Sequence, residues 1–264
     1  DFAQIEDWRR AAAPGAPSAV LHVDTGMTRL GLTPADVIRL STEPDRVQGI
    51  KFSMIMSHLA CADEPSHELN EIQRTSFEEM RAALAPVIGA VPASLANSSG
   101  VYLGPDYHFQ MVRPGIAIYG VNVNRKAPGL VEQVIHLYGR VQQVRKLDND
   151  LNVGYGATYH ACGGTRIATV TVGYADGYFR ALSNRGRAFI AATAVPLIGR
   201  VSMDLITLDV STVPEEAVYP GVAVELIGSN ISIEEFAEMA GTNGYEVLTA
   251  LGTRYHRVYT GGGV

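Results

Sequence analysis

The chain has 264 residues, 47% apolar and 18% charged, with a formal net charge of −6, which suffices for one large or two moderate domains with substantial cores. Its 21 basic residues include only three lysines, Lys51, Lys126 and Lys146, and form no basic run, which excludes the charged groove a nucleic acid requires. Cys61 and Cys162 stand at no metal-ligand spacing and suggest no disulfide framework; with no apolar stretch of transmembrane length and no leader pattern, a cytoplasmic location is expected.

The first 120 residues read as repeated helix and strand units. FAQIEDWRRAA has the spacing of an amphipathic helix, SAVLHVD that of an apolar strand, IKFSMIMSHLA that of a second strand, and SHELNEIQRTSFEEMRAALAPV that of a long amphipathic helix. Short strands are expected at PASLANS and GIAIYG. Four strands alternating with helices imply parallel pairing, with functional groups at the strands' carboxyl ends. The texture changes at KAPG, residues 126–129. Beyond it LVEQVIHLYGRVQQVRKL, TRIATVTVGY, RAFIAATAVPLIG, MDLITLDV and AVELIG read as β segments between turns, with one late helix around ISIEEFAEMAG. Two domains are therefore expected, 1–125 and 126–264.

The candidate chemistry gathers after the strands. Arg29 follows SAVLHVD through a loop containing Asp24 and Gly26, His58 follows FSMIMS, Asn97 and Ser98 follow PASLA, and Arg113 precedes GIAIYG. In Arg113-Pro114-Gly115-Ile116 the glycine frees backbone N–H groups to meet an anion, and Ser98 can donate to the same oxygens, although SSG and RPG are also ordinary loop punctuation. Tyr174, in VGYADGYFR, stands where a strand turns sharply between Gly173 and Gly177. It is either a phenol aimed at a cavity or a packing residue. Asp176 and Asp204 read equally well as turn residues. Zinc, dinucleotide-fold and serine-hydrolase signatures do not occur, which leaves tyrosine, histidine and arginine as acid, base and anion groups.

Taken in order, HVDTGMTRLG, SHLACAD, SLANSSG, MVRPGIAIYG, VGYGATY, VGYADGYFR, GRVSMD and TNGYEVLT resemble the carboxyl-terminal two thirds of the bacterial alanine racemases, from the first residues to about Arg254. The resemblance implies a fold-type III enzyme dependent on pyridoxal 5'-phosphate. Such an enzyme has an amino-terminal (β/α)8 barrel, a carboxyl-terminal β domain and a homodimer with active sites shared head to tail. The implied isomerase reaction interconverts L-alanine and D-alanine, supplying D-alanine for cell-wall peptidoglycan. On this resemblance the catalytic set is Tyr174, His58, Arg113, Arg29 and Asp204. Tyr174 is the base on one face of the substrate α carbon, and Arg113 faces the pyridine nitrogen. Ser98, Asn97, Gly115, Ile116 and Tyr245 hold the cofactor, chiefly at its phosphate. His58 lies beside the ring, Arg29 reaches the phenolate oxygen and the substrate, and the Met203 backbone takes the substrate carboxylate. A serine or broad-specificity racemase and a noncatalytic racemase-derived protein are the alternatives.

Four departures accompany the resemblance. No lysine here matches the family's Schiff-base lysine, which lies at the end of the first barrel strand. The chain starts at Asp1 with a helix already under way, and only about four barrel strands precede residue 125. The expected fold is thus the second half of a (β/α)8 TIM-type barrel followed by a mostly β domain. The amino-terminal racemase segment is expected to be absent or supplied as a separate chain, leaving this chain inactive alone. His22 stands where many members have a carbamylated lysine beside the arginine, and Ser202 replaces a cysteine.

Overall fold

A computed structural model describes residues 1–123 and 131–261. The boundary expected at KAPG, and Lys126 with it, lies outside the described residues. The described residues form two compact units, one built chiefly on Asp1–Ile118 and the other chiefly on residues 131–261.

The first unit runs α1 (Phe2–Ala11), β1 (Ala19–His22), α2 (Pro34–Thr42), β2 (Phe52–Met56), α3 (Leu69–Ile88) and β3 (Ala93–Ser94), with the strands in a parallel sheet ordered β1-β2-β3. Helix starts follow local chemistry. Asp1 and Gln4 close a capping box on α1, and Thr33 and Asp36 close one on α2, where Pro34 is preset for the first turn. Phe2 lies under the guanidinium groups of Arg39 and Arg46, at 4.9 and 5.0 Å, which holds α1 to the α2 region. Val23, Leu32, Leu40, Ile55, Phe77, Leu84 and Leu95 make the core between sheet and helices.

GIAIYG is not a strand. Ile116–Tyr119 is a 3-10 turn, because the Ser98 hydroxyl takes the Gly115 and Ala117 N–H groups and the Gly115 carbonyl takes that of Ile118, so these donors cannot enter a ladder. The count of four strands is corrected to three. The half-barrel reading is corrected with it: the first unit is an α/β domain around its own core, and the fold class is a (β/α)-type domain followed by a β domain.

The second unit carries a six-stranded antiparallel sheet ordered β10-β7-β4-β11-β8-β9. Its strands are β4 (Leu137–Lys146), β7 (Arg166–Val170), β8 (Arg187–Ile190), β9 (Thr193–Pro196), β10 (Ile206–Asp209) and β11 (Ala223–Ile227). A separate hairpin joins β5 (Leu151–Val153) and β6 (Tyr159–Ala161). Gly139 of β4 packs so tightly that a Cβ there would lie 2.5 Å from Val170 Cγ1. The single late helix is corrected to two, α4 (Ile233–Ala240) and α5 (Gly244–Ala250), divided at Gly241 in a left-handed conformation and restarted by the Asn243 cap.

Candidate active site

In the first unit the polar groups converge beyond the carboxyl ends of the three strands. Arg113 is tied to the ends of β2 and β3. Its Nη1 donates to Ser94 Oγ at 2.5 Å, and its Nη2 donates to the Ser57 carbonyl at 2.6 Å and the Leu95 carbonyl at 3.4 Å. Its own N–H meets the Ala96 carbonyl at 2.9 Å. Ser94 hands its proton to the Met111 carbonyl, so it accepts from the arginine with a lone pair. The Nε–H and the second Nη1–H have no partner among the described residues and can meet a ligand. A fully buried Gln73 from α3 fastens this floor: its Nε2 donates to Thr25 Oγ1 and to the His58 carbonyl, and its Oε1 accepts the Ala60 N–H. Thr25 and Ser57 share a 2.8 Å hydroxyl contact.

His58 and His22 flank the arginine. His58 Nε2 lies 3.4 Å from Asn97 Nδ2. Burial lowers its pKa, and the charges of Arg113, Arg29 and His22 lower it further. His22 is lowered by burial and by Arg113 and Arg29, against an opposing pull from Asp24. Both rings are therefore biased toward neutral imidazole beside permanent guanidinium charge. Arg29 is exposed on the loop that follows β1. Asp24 shapes that loop by accepting the N–H groups of Gly26, Met27 and Thr28 at 3.0–3.1 Å. Burial alone would raise the Asp24 pKa, but these three donors outweigh it and the net shift is downward. Gly31 closes the loop at φ +109°, where a Cβ would lie 2.8 Å from Asp24 N.

Ser98 is buried and accepts the Gly115 N–H at 2.8 Å and the Ala117 N–H at 3.3 Å. The Gly115 N–H expected to face an anion thus serves the serine. With both lone pairs engaged, the Ser98 hydroxyl is a committed donor, and the Ile116 N–H has no partner among the described residues. Asn97 orders the turn by accepting the Gly100 N–H at 2.9 Å. These donors suit the phosphate of pyridoxal phosphate, and Arg113 suits its pyridine nitrogen as a donor that keeps its proton. Lys51 is exposed just before β2, at the other end of the sheet, and Lys146 is exposed at the end of β4.

In the second unit Tyr174 begins a 3-10 turn beyond β7, with 45% of its surface exposed. Its N–H meets the Ser202 carbonyl and the Ala175 N–H meets the Met203 carbonyl, both at 3.0 Å. Gly173 is extended and lets these backbones touch, since a Cβ there would lie 2.2 Å from the Met203 oxygen. Gly177, at φ +92°, lies equally close to the Ala250 carbonyl. The Met203 N–H has no partner among the described residues, and its side chain is exposed. Ser202 spends its hydroxyl on the Leu205 carbonyl. Tyr245 stands exposed in the first turn of α5.

The structure therefore gathers Arg113, His58, Asn97, Ser98, Gly115 and Ile116, with Arg29 and His22 near them, in the first unit. It gathers Tyr174, Met203 and Asp204 in the second. Sequence reasoning missed two contributors. Gln73 was hidden because one amide within a helix pattern carries no signal. Arg254, 3.2 Å from Asp176 and 2.7 Å from Asp204, lies beyond every motif.

Comparison with known proteins gives a consistent result. Residues 1–123 match the family model described as alanine racemase, N-terminal domain, and residues 134–259 match that described as alanine racemase, C-terminal domain. The chain is 48% identical over 261 residues to an alanine racemase of Rhodospirillum rubrum, covering 98% of this chain and 68% of that protein. It is 45% identical to a catabolic alanine racemase of Mesorhizobium japonicum, covering 98% and 67%. Among solved structures, the alanine racemase of Bartonella henselae with covalently bound pyridoxal phosphate superposes with a TM-score of 0.91 at 35% identity, covering 98% of this chain and 71% of that one. The biosynthetic enzyme of Pseudomonas aeruginosa gives 0.87 at 34% identity, covering 98% and 71%. The match over residues 1–123 corrects the expectation of an amino-terminal racemase segment that is absent or supplied as a partner chain: N-terminal-domain sequence is in the chain itself.

Proposed function

The chain belongs to the alanine racemase family, pyridoxal-phosphate enzymes that interconvert L-alanine and D-alanine for peptidoglycan, and from that premise we propose which residues do the work. Pyridoxal phosphate supplies the electron sink that makes the substrate α proton removable. In the first unit the Ser98 hydroxyl and the Ile116 N–H hold the phosphate, and Asn97 and Gly115 fix the turn that presents them. The Arg113 N–H groups without a partner among the described residues would face the pyridine nitrogen. A guanidinium does not give up its proton at ordinary pH, so it would leave that nitrogen unprotonated and favour proton return over transamination.

His58 borders the ring as a neutral imidazole, and Arg29 offers an exposed guanidinium to the phenolate oxygen and the substrate. In the second unit the Met203 N–H binds the substrate carboxylate, and the Tyr174 phenol takes or returns the α proton on one face. The observation that carries this reading is Arg113, fastened to Ser57, Ser94 and Leu95 with donors left over, in a chain of this family. Cytoplasmic work is consistent with the free thiols Cys61 and Cys162; among the described residues no helix is long and apolar enough to cross a membrane.

The test is to load the enzyme with pyridoxal phosphate and compare racemisation of alanine and serine in wild type and Arg113→Gln. Wild type should prefer alanine, and the variant should bind cofactor while releasing more transamination product per turnover. An unchanged product ratio would contradict the role of Arg113.

A further inference from the structure

We propose that Arg254 is a positioning residue for the acid–base tyrosine, locking the Tyr174 turn to the Met203 loop by bridging Asp176 and Asp204. The proposal deepens the reading of Tyr174 and rests on it. Two loops meet here, residues 173–178 and 202–205. On one side they are stitched by the Tyr174 N–H to the Ser202 carbonyl and the Ala175 N–H to the Met203 carbonyl. On the other side each presents a carboxylate, Asp176 and Asp204, and Arg254 spans them: Nε lies 3.2 Å from Asp176 Oδ1 and Nη2 lies 2.7 Å from Asp204 Oδ1. The second oxygen of the buried Asp176 accepts the Gly173 N–H at 2.9 Å. The carboxylate therefore connects the arginine to the residue just before the phenol.

The delivery of Arg254 is also built in. The chain leaving α5 presses on the turn where Gly177 meets the Ala250 carbonyl, and Tyr255, next to Arg254, buries its hydroxyl, which roots the exposed guanidinium on a fixed backbone. Without the cation, two carboxylates on adjoining loops repel, and the loop contacts that aim Tyr174 and the Met203 N–H loosen together. An ion pair this exposed adds little to global stability. Its removal should therefore act on local geometry, with a planar fork serving better than an ammonium.

The experiment uses enzyme loaded with pyridoxal phosphate and compares wild type, Arg254→Met, Arg254→Lys and Tyr174→Phe. Rates are measured with each alanine enantiomer, with and without deuterium at the α carbon, and amide exchange is followed over residues 172–178 and 200–206. Arg254→Met should lower kcat by about tenfold or more. It should also raise the isotope effect for one enantiomer only and speed exchange in both segments, with the urea midpoint unchanged; Arg254→Lys should recover part of each effect. Equal isotope effects for both enantiomers, or unchanged exchange in the two segments, would overturn the positioning role. If Tyr174→Phe leaves both enantiomers exchanging normally, the assignment of the base fails, while amide exchange still reports separately on whether Arg254 locks the loops.

Discussion

Gly173→Ala tests the packing that places the tyrosine. The backbone at Gly173 is extended, which alanine adopts freely, so the substitution acts through contact alone. The added Cβ would meet the Met203 oxygen at 2.2 Å, and the Met203 carbonyl carbon and Ser202 oxygen at 2.4 Å, all backbone atoms that no rotamer change removes. Ordinary contact begins near 3.4 Å, so the loops must part by roughly 1 Å. The two loop hydrogen bonds, both 3.0 Å, would then stretch beyond useful length. Overpacking costs about 1–3 kcal/mol and two lost hydrogen bonds about 1 kcal/mol each, for a destabilisation of about 3–5 kcal/mol. Urea unfolding followed by circular dichroism measures it, and a misplacement of that size should also cost about a hundredfold in kcat. A loss under about 0.5 kcal/mol with unchanged turnover would refute the close packing of Gly173 against the Met203 loop.

Three further outcomes follow from the same geometry. Ser98→Ala removes the committed hydroxyl donor and leaves the Gly115 and Ala117 N–H groups without their acceptor; cofactor affinity measured by absorbance titration should fall about tenfold or more, roughly 1.4 kcal/mol or more. His22 and His58 have folded pKa values below the unfolded one, so between those values the unfolded chain binds more protons. Stability should decline as pH falls below about 6.5, and a His22→Gln, His58→Gln double variant should flatten that slope in urea titrations. Asp24 shows the acidic counterpart. Its lowered carboxyl contributes stability above the unfolded value near 4 that is lost as pH drops through the folded value, so Asp24→Asn should flatten the acid limb of the same curve.

What the sequence disclosed followed how locally each feature is encoded. α1, β1, β2 and α3 were legible because apolar spacing and capping residues act over a few positions. GIAIYG misled because strand-like composition cannot show that Ser98, seventeen residues earlier, withdraws its backbone donors. The second late helix escaped notice because its start depends on one asparagine after a left-handed glycine. The candidate site residues stand in motifs, but the residues that support them do not. Gln73 reaches Thr25 across 48 positions and Arg254 reaches Asp204 across 50, and no local pattern records such pairings. The expectation of an absent or separate amino-terminal segment rested on strand count and on lysine positions, and the match over residues 1–123 corrects it.

The central claim is that Tyr174 moves the α proton on one face of the substrate, and isotope exchange tests it most directly. Tyr174→Phe, loaded with pyridoxal phosphate in deuterium oxide, should bind the cofactor normally and wash the α proton out of one alanine enantiomer while leaving the other unexchanged. Wild-type rates of exchange from both enantiomers in that variant would contradict the account.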